Sequence, residues 1–342
     1  MPLPLRPVLL LPLIVAPLAA QAVEGIATAA GAPAAHALVL LVDSTGRDVR
    51  TTLSDAGGRF LLRAPSAGPH RVALRRVGHR PWISEPLLLG ESVLPLAVDL
   101  PEDPVVLPDL RPEATGRCRV RPALGAGTTA LLDAARTGLG IAEATTRLAP
   151  LHVRAESRVR LLDPALVLQS EERTGVTGRL AWPFSVQVPE SASTAGFVGS
   201  VVGGSRDFHG PDAALLADSW FLDAHCFDLV LPEPPGDTTV GVSFQPERSS
   251  PRADLRGTLW LDRRTLGLLR LEFRWTGLGA WLPGDAAGGD LGFAPVAGGG
   301  LLLQRWWVRV PLADYGGREP RLIGFLESGG EVKEVIGAPP AP

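Results

Sequence analysis

The chain has 342 residues, a hydrophobic fraction of 45% and a formal net charge of -3 at pH 7. This slightly acidic balance argues against nucleic-acid binding, which needs an excess of basic residues to neutralise phosphates. At about 150 residues per domain the length predicts two domains, and the hydrophobic fraction is sufficient for real buried cores.

The first 22 residues have the layout of a cleavable secretory signal. Arg6 precedes an apolar run over 8–18, and a small-x-small triplet follows at 20–22. A basic start, a short apolar run and small residues at the cleavage point are the three parts of such a signal. The run is too short for a membrane anchor, which needs about 20 apolar residues. We therefore predict a signal peptide over 1–22 and a mature chain that starts near Val23.

The exported part carries no sign of a membrane attachment. No cysteine follows the cleavage site to accept a lipid, and no later segment is long and apolar enough to cross a bilayer. We predict a periplasmic or secreted protein without a transmembrane segment. The chain has two cysteines, Cys118 and Cys226, and both lie in the exported part. Since pairing is the default in an oxidising compartment, we predict a disulfide between them.

Residues 23–100 read as a small β-sandwich. Short apolar runs are separated by turn residues, among them Ser44-Thr45-Gly46 and Ala56-Gly57-Gly58. Glycine supplies the positive φ that tight hairpin turns need. Short runs at this spacing, without a helical period, predict an antiparallel β-sandwich.

The stretch "GAPAAHALVLLVDSTGRDVRTTLSDAGGRFLLRAPSAGPHRVALRRVGHRP" resembles the carboxypeptidase regulatory-like domain, a transthyretin-like β-sandwich found in many exported bacterial proteins. The resemblance covers about 23–100. The positions that carry it, expected to be structural, are Thr52, Asp55, Gly58, Phe60, Gly68 and Gly78. It implies a non-catalytic module, because the carboxypeptidases hold their zinc in a separate domain with a His-x-x-Glu pair. None of the six histidines here has a glutamate three positions later. We predict no cofactor.

Residues 101–122 hold five prolines and predict a linker, and 123–337 predict a second domain that ends before a short tail, 338–342. A helix is predicted at about 128–140, capped by Thr128 or Thr129, with one apolar face and with glycines expected to fray or end it. The apolar face comprises Leu131, Leu132, Ala135 and Leu139, and the glycines are Gly138 and Gly140.

From His152 onward the pattern returns to strands, which are longer than those of the sandwich. In "LGLLRLEFRWTGL", Leu269, Leu271, Phe273 and Trp275 alternate with Arg270, Glu272 and Arg274. Such alternation is typical of an antiparallel sheet with one apolar and one solvated face. "LLLQRWWVRVPL" has the same pattern. The predicted fold class is therefore mainly β: an N-terminal antiparallel β-sandwich followed by a helix and a curved antiparallel sheet.

The segment "GTLWLDRRTLGLLRLEFRW" also resembles a hairpin of exported half-barrel proteins such as periplasmic lipoprotein carriers. That resemblance implies a curved sheet that wraps an apolar pocket, closed by the helix. The alternative is a filled core, and we favour it.

The stretch "FLDAHCFDLV" places Asp223, His225 and Cys226 within four positions. As an extended strand it would put Asp223 and His225 on one face and Cys226 on the other. A catalytic base has to lie within about 3 Å of its thiol, so this arrangement disfavours cysteine catalysis. It leaves Asp223 and His225 as weak candidates for a metal site.

A wider acidic and histidine group provides the competing hypothesis. Asp207, His209 and Asp212 precede Asp223 and His225, and carboxylate and imidazole side chains can ligate a divalent ion or serve a hydrolase. The missing metal-ligand spacing favours solvated turn residues instead. No Gly-x-Ser-x-Gly elbow or phosphate-binding loop is present. Adjacent Trp306 and Trp307 offer a minor sugar-stacking hypothesis.

The leading interpretation is an exported, non-catalytic envelope protein. Its sandwich would mediate binding or positioning, and its β-rich second domain could hold an apolar ligand. Its partner would be an envelope protein, a glycan or an apolar molecule. The alternative is a hydrolase with a site around Asp207, His209, Asp223 and His225.

Overall fold

The structure, a computed structural model, is mainly β. Strands account for 53% of the residues that it describes and helices for 14%, which confirms the predicted fold class. The residues that it describes are 21–101, 126–186, 189–200, 206–232, 238–247, 252–297, 299–317 and 319–337. The predicted linker with Cys118, and all but the last two residues of the predicted signal peptide, lie outside them.

Nine strands form the N-terminal sandwich. They are β1 (Ala22–Ala29), β2 (Ala32–Pro33), β3 (Leu38–Asp43), β4 (Asp48–Leu53), β5 (Arg59–Arg63), β6 (Gly68–Arg75), β7 (Trp82–Ile83), β8 (Leu87–Leu89) and β9 (Val93–Leu100). In one sheet β1 pairs with β2, β5 and β9, and in the other β3 lies between β4 and β6, which also pairs with β7 and β8.

One pairing of the sandwich differs from the predicted antiparallel arrangement. β9 runs parallel to β1 along its whole length, from Ala22 opposite Val93 to Ala29 opposite Leu100. The chain reaches β9 from β8, which belongs to the other sheet. A parallel neighbour requires such a crossover, whereas a tight hairpin produces an antiparallel one.

The strand β3 contributes to two cores because its side chains alternate between two faces. Val39 and Leu41 are fully buried inside the sandwich. Leu38 and Leu40 point the other way and join the core that contains the helix and the larger sheet. The sandwich therefore buries one of its outer faces against the rest of the protein.

The helix α1 (Ala126–Arg147) is longer than predicted. Its predicted apolar face is buried, with Leu131 and Leu139 fully inaccessible. The prediction that Gly138 and Gly140 would end the helix is wrong. A Cβ at Gly138 would lie 2.6 Å from Leu268 Cβ, and one at Gly140 would lie 2.9 Å from Leu38 Cδ2. These glycines let α1 approach β-structure on two sides, which offsets their low helix propensity.

The predicted cap is also wrong, since Thr128 and Thr129 lie inside α1. None of the described helices is long and apolar enough to cross a bilayer.

Nine strands build one large antiparallel sheet. They are β10 (His152–Leu162), β11 (Leu168–Gly178), β12 (His225–Val230), β13 (Thr239–Pro246), β14 (Asp254–Asp262), β15 (Leu268–Thr276), β16 (Gly288–Pro295), β17 (Leu301–Asp314) and β18 (Arg321–Gly337). Their order is β11-β10-β18-β17-β16-β15-β14-β13-β12. β12 to β18 thus follow the chain order, and β10 and β11 extend the sheet beyond β18.

The face of this sheet that contacts α1, called the inner face here, is filled. α1 covers part of it, and the rings of Trp182, Phe184 and Phe208 cover more. The ring of Phe184 lies 5.3 Å from that of Phe273, and Phe208 lies 5.0 Å from Trp275. This packing fits the filled core that the sequence analysis favoured over an apolar pocket.

The opposite face, called the outer face, carries the charged residues of the alternation. Arg270, Glu272 and Arg274 occupy it on β15, and Trp307 lies on it between Arg305 and Arg309 on β17. Cross-strand pairing aligns these side chains in rows that run across the sheet.

Candidate functional site

The stretch 221–230 is half helix and half strand. The short helix α3 (Ser219–Ala224) begins after Asp218, whose carboxylate accepts the Trp220 N–H at 2.8 Å, and ends where β12 starts. Asp223 therefore lies on the helix and is exposed, whereas His225 is 1% exposed. The prediction that both share one strand face is wrong, because α3 continues to Ala224 and the strand begins only at His225.

His225 is held by three acceptors and an aromatic ring. Its Nδ1 lies 3.0 Å from the Phe221 carbonyl, and its Nε2 lies 3.1 Å from Asp254 Oδ1 and 3.2 Å from the Leu255 carbonyl. The imidazole stacks on Phe221 at 3.8 Å. A neutral imidazole has only one N–H, so it can donate either to the acceptor at Nδ1 or to those at Nε2, whereas a protonated imidazole can donate from both nitrogens.

This arrangement leaves neither ring nitrogen of His225 free to bind a metal or to act as a base. Both nitrogens already face protein acceptors, and the ring is shielded from solvent. The histidine connects the end of α3 and the start of β12 to β14 through Asp254. We infer a structural role for His225.

A polar cleft of about 290 Å³ opens beside this connection. It lies between the short helix α2 (Pro189–Ala195), α3 and the facing ends of β13 and β14. Asp254 contributes to its wall, whereas His225 does not. The Asp254 carboxylate is also fixed by the backbone N–H of Leu255 at 2.8 Å.

Cys226 is 6% exposed and follows His225 on β12, where it pairs across the sheet with Gln245. By strand alternation its side chain belongs to the face opposite that of His225. Since Cys118 lies outside the described residues, the disulfide stays a prediction.

The residues of the alternative hydrolase site occupy a different part of the fold. His209 lies in a short bridge with Ser185, and its backbone carbonyl accepts the Trp275 indole N–H at 2.8 Å. Burial lowers the pKa of His209, opposed by the nearby Asp207.

Asp212, also singled out in the sequence, is buried, and it caps a turn. Its Oδ1 accepts the Leu215 N–H at 2.7 Å. Burial raises its pKa. Beside it lies Glu143 of α1, whose Oε1 accepts the Ala213 N–H at 3.1 Å. Burial, and next the negative charge of Asp212, raise the pKa of Glu143 to about 8.

This pair of neighbouring carboxyl groups was missed in the sequence because 70 positions separate Glu143 from Ala213. A glutamate flanked by the apolar residues Ile141, Ala142 and Ala144 was the available signal. Two carboxyl groups at one site can exchange protons. Among the residues that the structure describes, no group of three or more His, Cys, Asp or Glu side chains could hold a metal ion.

The residues that carry the regulatory-like resemblance shape turns and packing of the sandwich. Asp55 Oδ1 accepts the N–H groups of Gly57 and Arg59, each at 2.8 Å, and so builds the turn before β5. Gly58 has a φ of +75°, and a Cβ there would lie 2.2 Å from the Ala27 carbonyl oxygen. Phe60 is buried in the sandwich core.

The other positions of the resemblance lie at strand ends or, for Gly78, in the β6–β7 connection. Thr52 is near the end of β4, and Gly68, with a φ of +129°, begins β6. Gly78 has a φ of +79°, and a Cβ there would lie 3.3 Å from the Thr265 carbonyl oxygen in the β14–β15 turn. These roles concern geometry, and none of these residues approaches a reactive group.

The outer face of the large sheet holds the second polar cleft, of about 350 Å³. It is lined by side chains of β13, β14 and β15 and by Asp285 from the β15–β16 connection. Next to it, the guanidinium groups of Arg274 and Arg309 lie 5.1 and 5.0 Å from the ring of Trp307. The sequence predicted a charged face here, but not a cleft, since the cleft depends on how the β15–β16 connection folds back over the sheet.

Comparison with known proteins does not assign a family. No family model and no curated protein matches the chain. Two solved structures of the major pilin subunit BcpA of Bacillus cereus, one of them a variant, align with 89% of this chain and with 95% and 94% of theirs. The identity is 9% in both cases, and the TM-scores are 0.20 and 0.19. Similarity at this level carries no argument about function, so both family resemblances stay predictions.

Proposed function

We propose that the chain is an exported, non-catalytic protein of the cell envelope, in which the sandwich fixes the position of the large sheet and the large sheet binds the ligand. The observation that carries this proposal is the shared core: Leu38, Leu40 and Ala73 of the sandwich pack with α1 and the inner face of the sheet. A module that shares a core with its neighbour is held rigidly against it, because core packing has few voids and transmits strain.

The hydrolase alternative has less support. His225 is committed to three acceptors, Asp223 is exposed on a helix, and Asp207 and His209 belong to another segment. A general base has to reach its substrate, and a fully shielded imidazole does not.

An apolar ligand inside the sheet is also less favoured than an outer-face ligand. α1 and the rings of Trp182, Phe184 and Phe208 fill the space above the inner face over much of β13 to β17. The outer face, in contrast, presents an open polar cleft.

The proposed fixing role is tested with neighbouring residues of β3. Leu40→Ala removes a side chain that packs toward α1, whereas Leu41→Ala removes one inside the sandwich. Both lose similar buried area, and each is expected to cost about 2 to 5 kcal/mol of unfolding free energy. Hydrogen exchange should separate them: Leu40→Ala should speed exchange in α1, and Leu41→Ala should speed it mainly in β3 and β6.

Unchanged hydrogen-exchange protection of α1 in the Leu40→Ala variant would rule out a fixing role.

The absence of catalysis has its own test, in which the purified protein is assayed on chromogenic ester, peptide and glycoside substrates. A turnover that His209→Ala abolishes, with the circular dichroism spectrum intact, would favour the hydrolase.

A further inference from the structure

Three arginines stand in one row on the outer face of the large sheet. Arg256 on β14 lies directly opposite Arg274 on β15, and Gly288 on β16 separates Arg274 from Arg309 on β17. Directly opposite side chains in an antiparallel pair have Cβ atoms about 5 Å apart, and like charges at that spacing are destabilising. A pair of facing cations therefore costs stability, which an anion between them would offset.

Arg274 is the cation of this row that lacks a carboxylate partner. No ion pair of Arg274 is found in the described part of the chain; its Nη1 donates to the carbonyls of Phe273 at 2.7 Å and Gly289 at 3.2 Å. Its guanidinium stacks on Trp307. Burial lowers the pKa of Arg274, and the opposing carboxylates of Glu272 and Asp290 are both paired with Arg270.

Glycine makes room for this arginine. A Cβ at Gly288 would lie 2.6 Å from Arg274 Cδ. The arginine stem can therefore lie flat across β16, and its head is fixed between the carbonyls and the indole. A guanidinium that is fixed in this way loses little conformational entropy when it binds an anion.

The cleft of about 350 Å³ lies over the facing pair. Its neutral polar lining comprises Ser243, Gln245 and Thr258, which can donate and accept hydrogen bonds. The Glu272 carboxylate also lines the cleft, and it is paired with Arg270. The Ser243 hydroxyl donates to the Asp228 carbonyl at 3.3 Å, a weak contact that leaves its acceptor lone pairs open. This volume lies near the lower end of the range for small-molecule sites.

The only carboxylate that contacts Arg256 among the described residues is Asp285, from the β15–β16 connection. The side chains of this pair are 43% and 61% exposed. Exposed ion pairs contribute little stability. An incoming oxyanion can therefore replace Asp285 beside Arg256 at small cost.

We propose that this outer-face cleft binds an anionic saccharide, a hydroxyl-bearing ring with one carboxylate or phosphate, whose oxyanion lies between Arg256 and Arg274. The ring hydroxyls face Ser243, Gln245 and Thr258. This site rests on the proposed function, because it supplies the ligand that the fixed sheet binds. A uronate and a sugar phosphate share this chemistry, and the experiment distinguishes them.

Binding to the full mature protein is measured by titration calorimetry with glucuronate, glucose 6-phosphate, glucose, inorganic phosphate and an aspartate-containing dipeptide. At least one of the two anionic sugars should bind at least tenfold more tightly than glucose and than phosphate. Since Arg274 stacks on Trp307, binding should also change the tryptophan emission, and Trp307→Phe should reduce that change.

Arg274→Gln and Arg256→Gln should each weaken binding of the anionic sugar by roughly tenfold to a hundredfold, the usual range for losing a hydrogen bond to a charged group. Arg274→Lys keeps the charge and should retain part of the affinity. The matched control is Arg154→Gln, which removes an exposed arginine of β10 that is paired with Glu334. It should bind as the wild type does.

Several results would overturn the proposal. These are no binding of either anionic sugar, wild-type affinity in both the Arg256→Gln and the Arg274→Gln variant, and binding of phosphate or of the dipeptide as tight as that of the sugars. Arg256 is partly exposed, so its variant remains informative if the Arg274 variants do not fold. None of these results bears on the hydrogen exchange of α1, so the site and the fixing role fail separately.

Discussion

Glu143 occupies a position where a negative charge is costly. It lies on α1, a helix with many buried residues, and the buried Asp212 carboxyl is its nearest acidic neighbour. The Ala213 N–H provides one hydrogen bond, which compensates only partly. With a pKa of about 8, Glu143 is mostly protonated at neutral pH.

This shift makes stability depend on pH in a defined direction. The folded state holds the Glu143 proton up to about pH 8, whereas the unfolded chain releases it near 4.5. The stabilisation is therefore complete below about pH 4.5 and is lost as the pH rises through 8. We expect the unfolding free energy to fall by a few kcal/mol between pH 5 and 9, on the order expected for a shift of this size.

Glu143→Gln should remove most of this slope, because the amide cannot ionise and still accepts the Ala213 N–H. Urea unfolding at several pH values is the measurement. The matched control is Glu334→Gln, an exposed residue of β18 that should keep the wild-type slope. An unchanged slope in the Glu143→Gln variant would show that another group causes it.

For single residues, the sequence predicted the environment only where the local structure was regular. Asp223 and His225 were expected on one face because the whole stretch read as a strand. One turn of helix, capped by Asp218, changed that relation. The environment of His225 is set by hydrogen bonds to Asp254 and Leu255, about 30 positions away. The local pattern of apolar and polar residues does not reveal such long-range contacts.

The glycines of α1 are the informative feature at the scale of the element. Composition alone marked Gly138 and Gly140 as the end of the helix, since glycine lowers helix propensity by about 1 kcal/mol relative to alanine. Packing reverses this expectation. Each glycine allows close contact with a neighbouring strand, one on β15 and one on β3.

Gly138→Ala should therefore destabilise the protein despite the better helix former. The added methyl group would lie 2.6 Å from Leu268 Cβ, so helix or strand has to move. We expect a loss of about 1 to 3 kcal/mol, the range for overpacking. Gly175→Ala on β11, where no atom lies within 4 Å, is the control and should change little. Equal or greater thermal stability of Gly138→Ala would contradict this interpretation.

The alternation of the long strands was predictable because it depends only on the period of two. Leu271, Phe273 and Trp275 are buried, and Glu272 and Arg274 face outward, as predicted. Leu269 is the exception. It lies at a register shift, where Leu261 pairs with Leu268 and Trp260 with Arg270. Such a bulge inserts one residue without a partner, and the sequence gives no sign of it.

For the molecule as a whole, the sequence predicted the two β-rich parts but not the way they join. Nothing in the pattern of β3 indicates that its even-numbered leucines contact α1 rather than solvent. The partner surface is formed by residues about 100 to 230 positions later, including Leu139 and Leu268. The predicted domain limits themselves remain predictions.

The predicted disulfide belongs to this scale because it would cross a large loop. A link from Cys118 to Cys226 would close about 100 residues and could contribute on the order of 4 to 5 kcal/mol in the chain-entropy model. Peptide mapping of the exported protein without reduction should yield one cross-linked peptide. Two thiols that react with iodoacetamide before reduction would exclude it.

The place of β18 in the sheet has a consequence for how the chain folds. β18 pairs with β10 along eleven residues, so that His152 meets Gly337. This pairing joins the first strand of the large sheet in chain order to its last strand. The Arg154 guanidinium accordingly donates to Glu334, 180 positions later in the chain. Contacts of such high sequence separation slow folding. β10 can pair with β11 as soon as both are synthesised, but its other edge has to wait for β18, and until then that edge stays open to wrong partners.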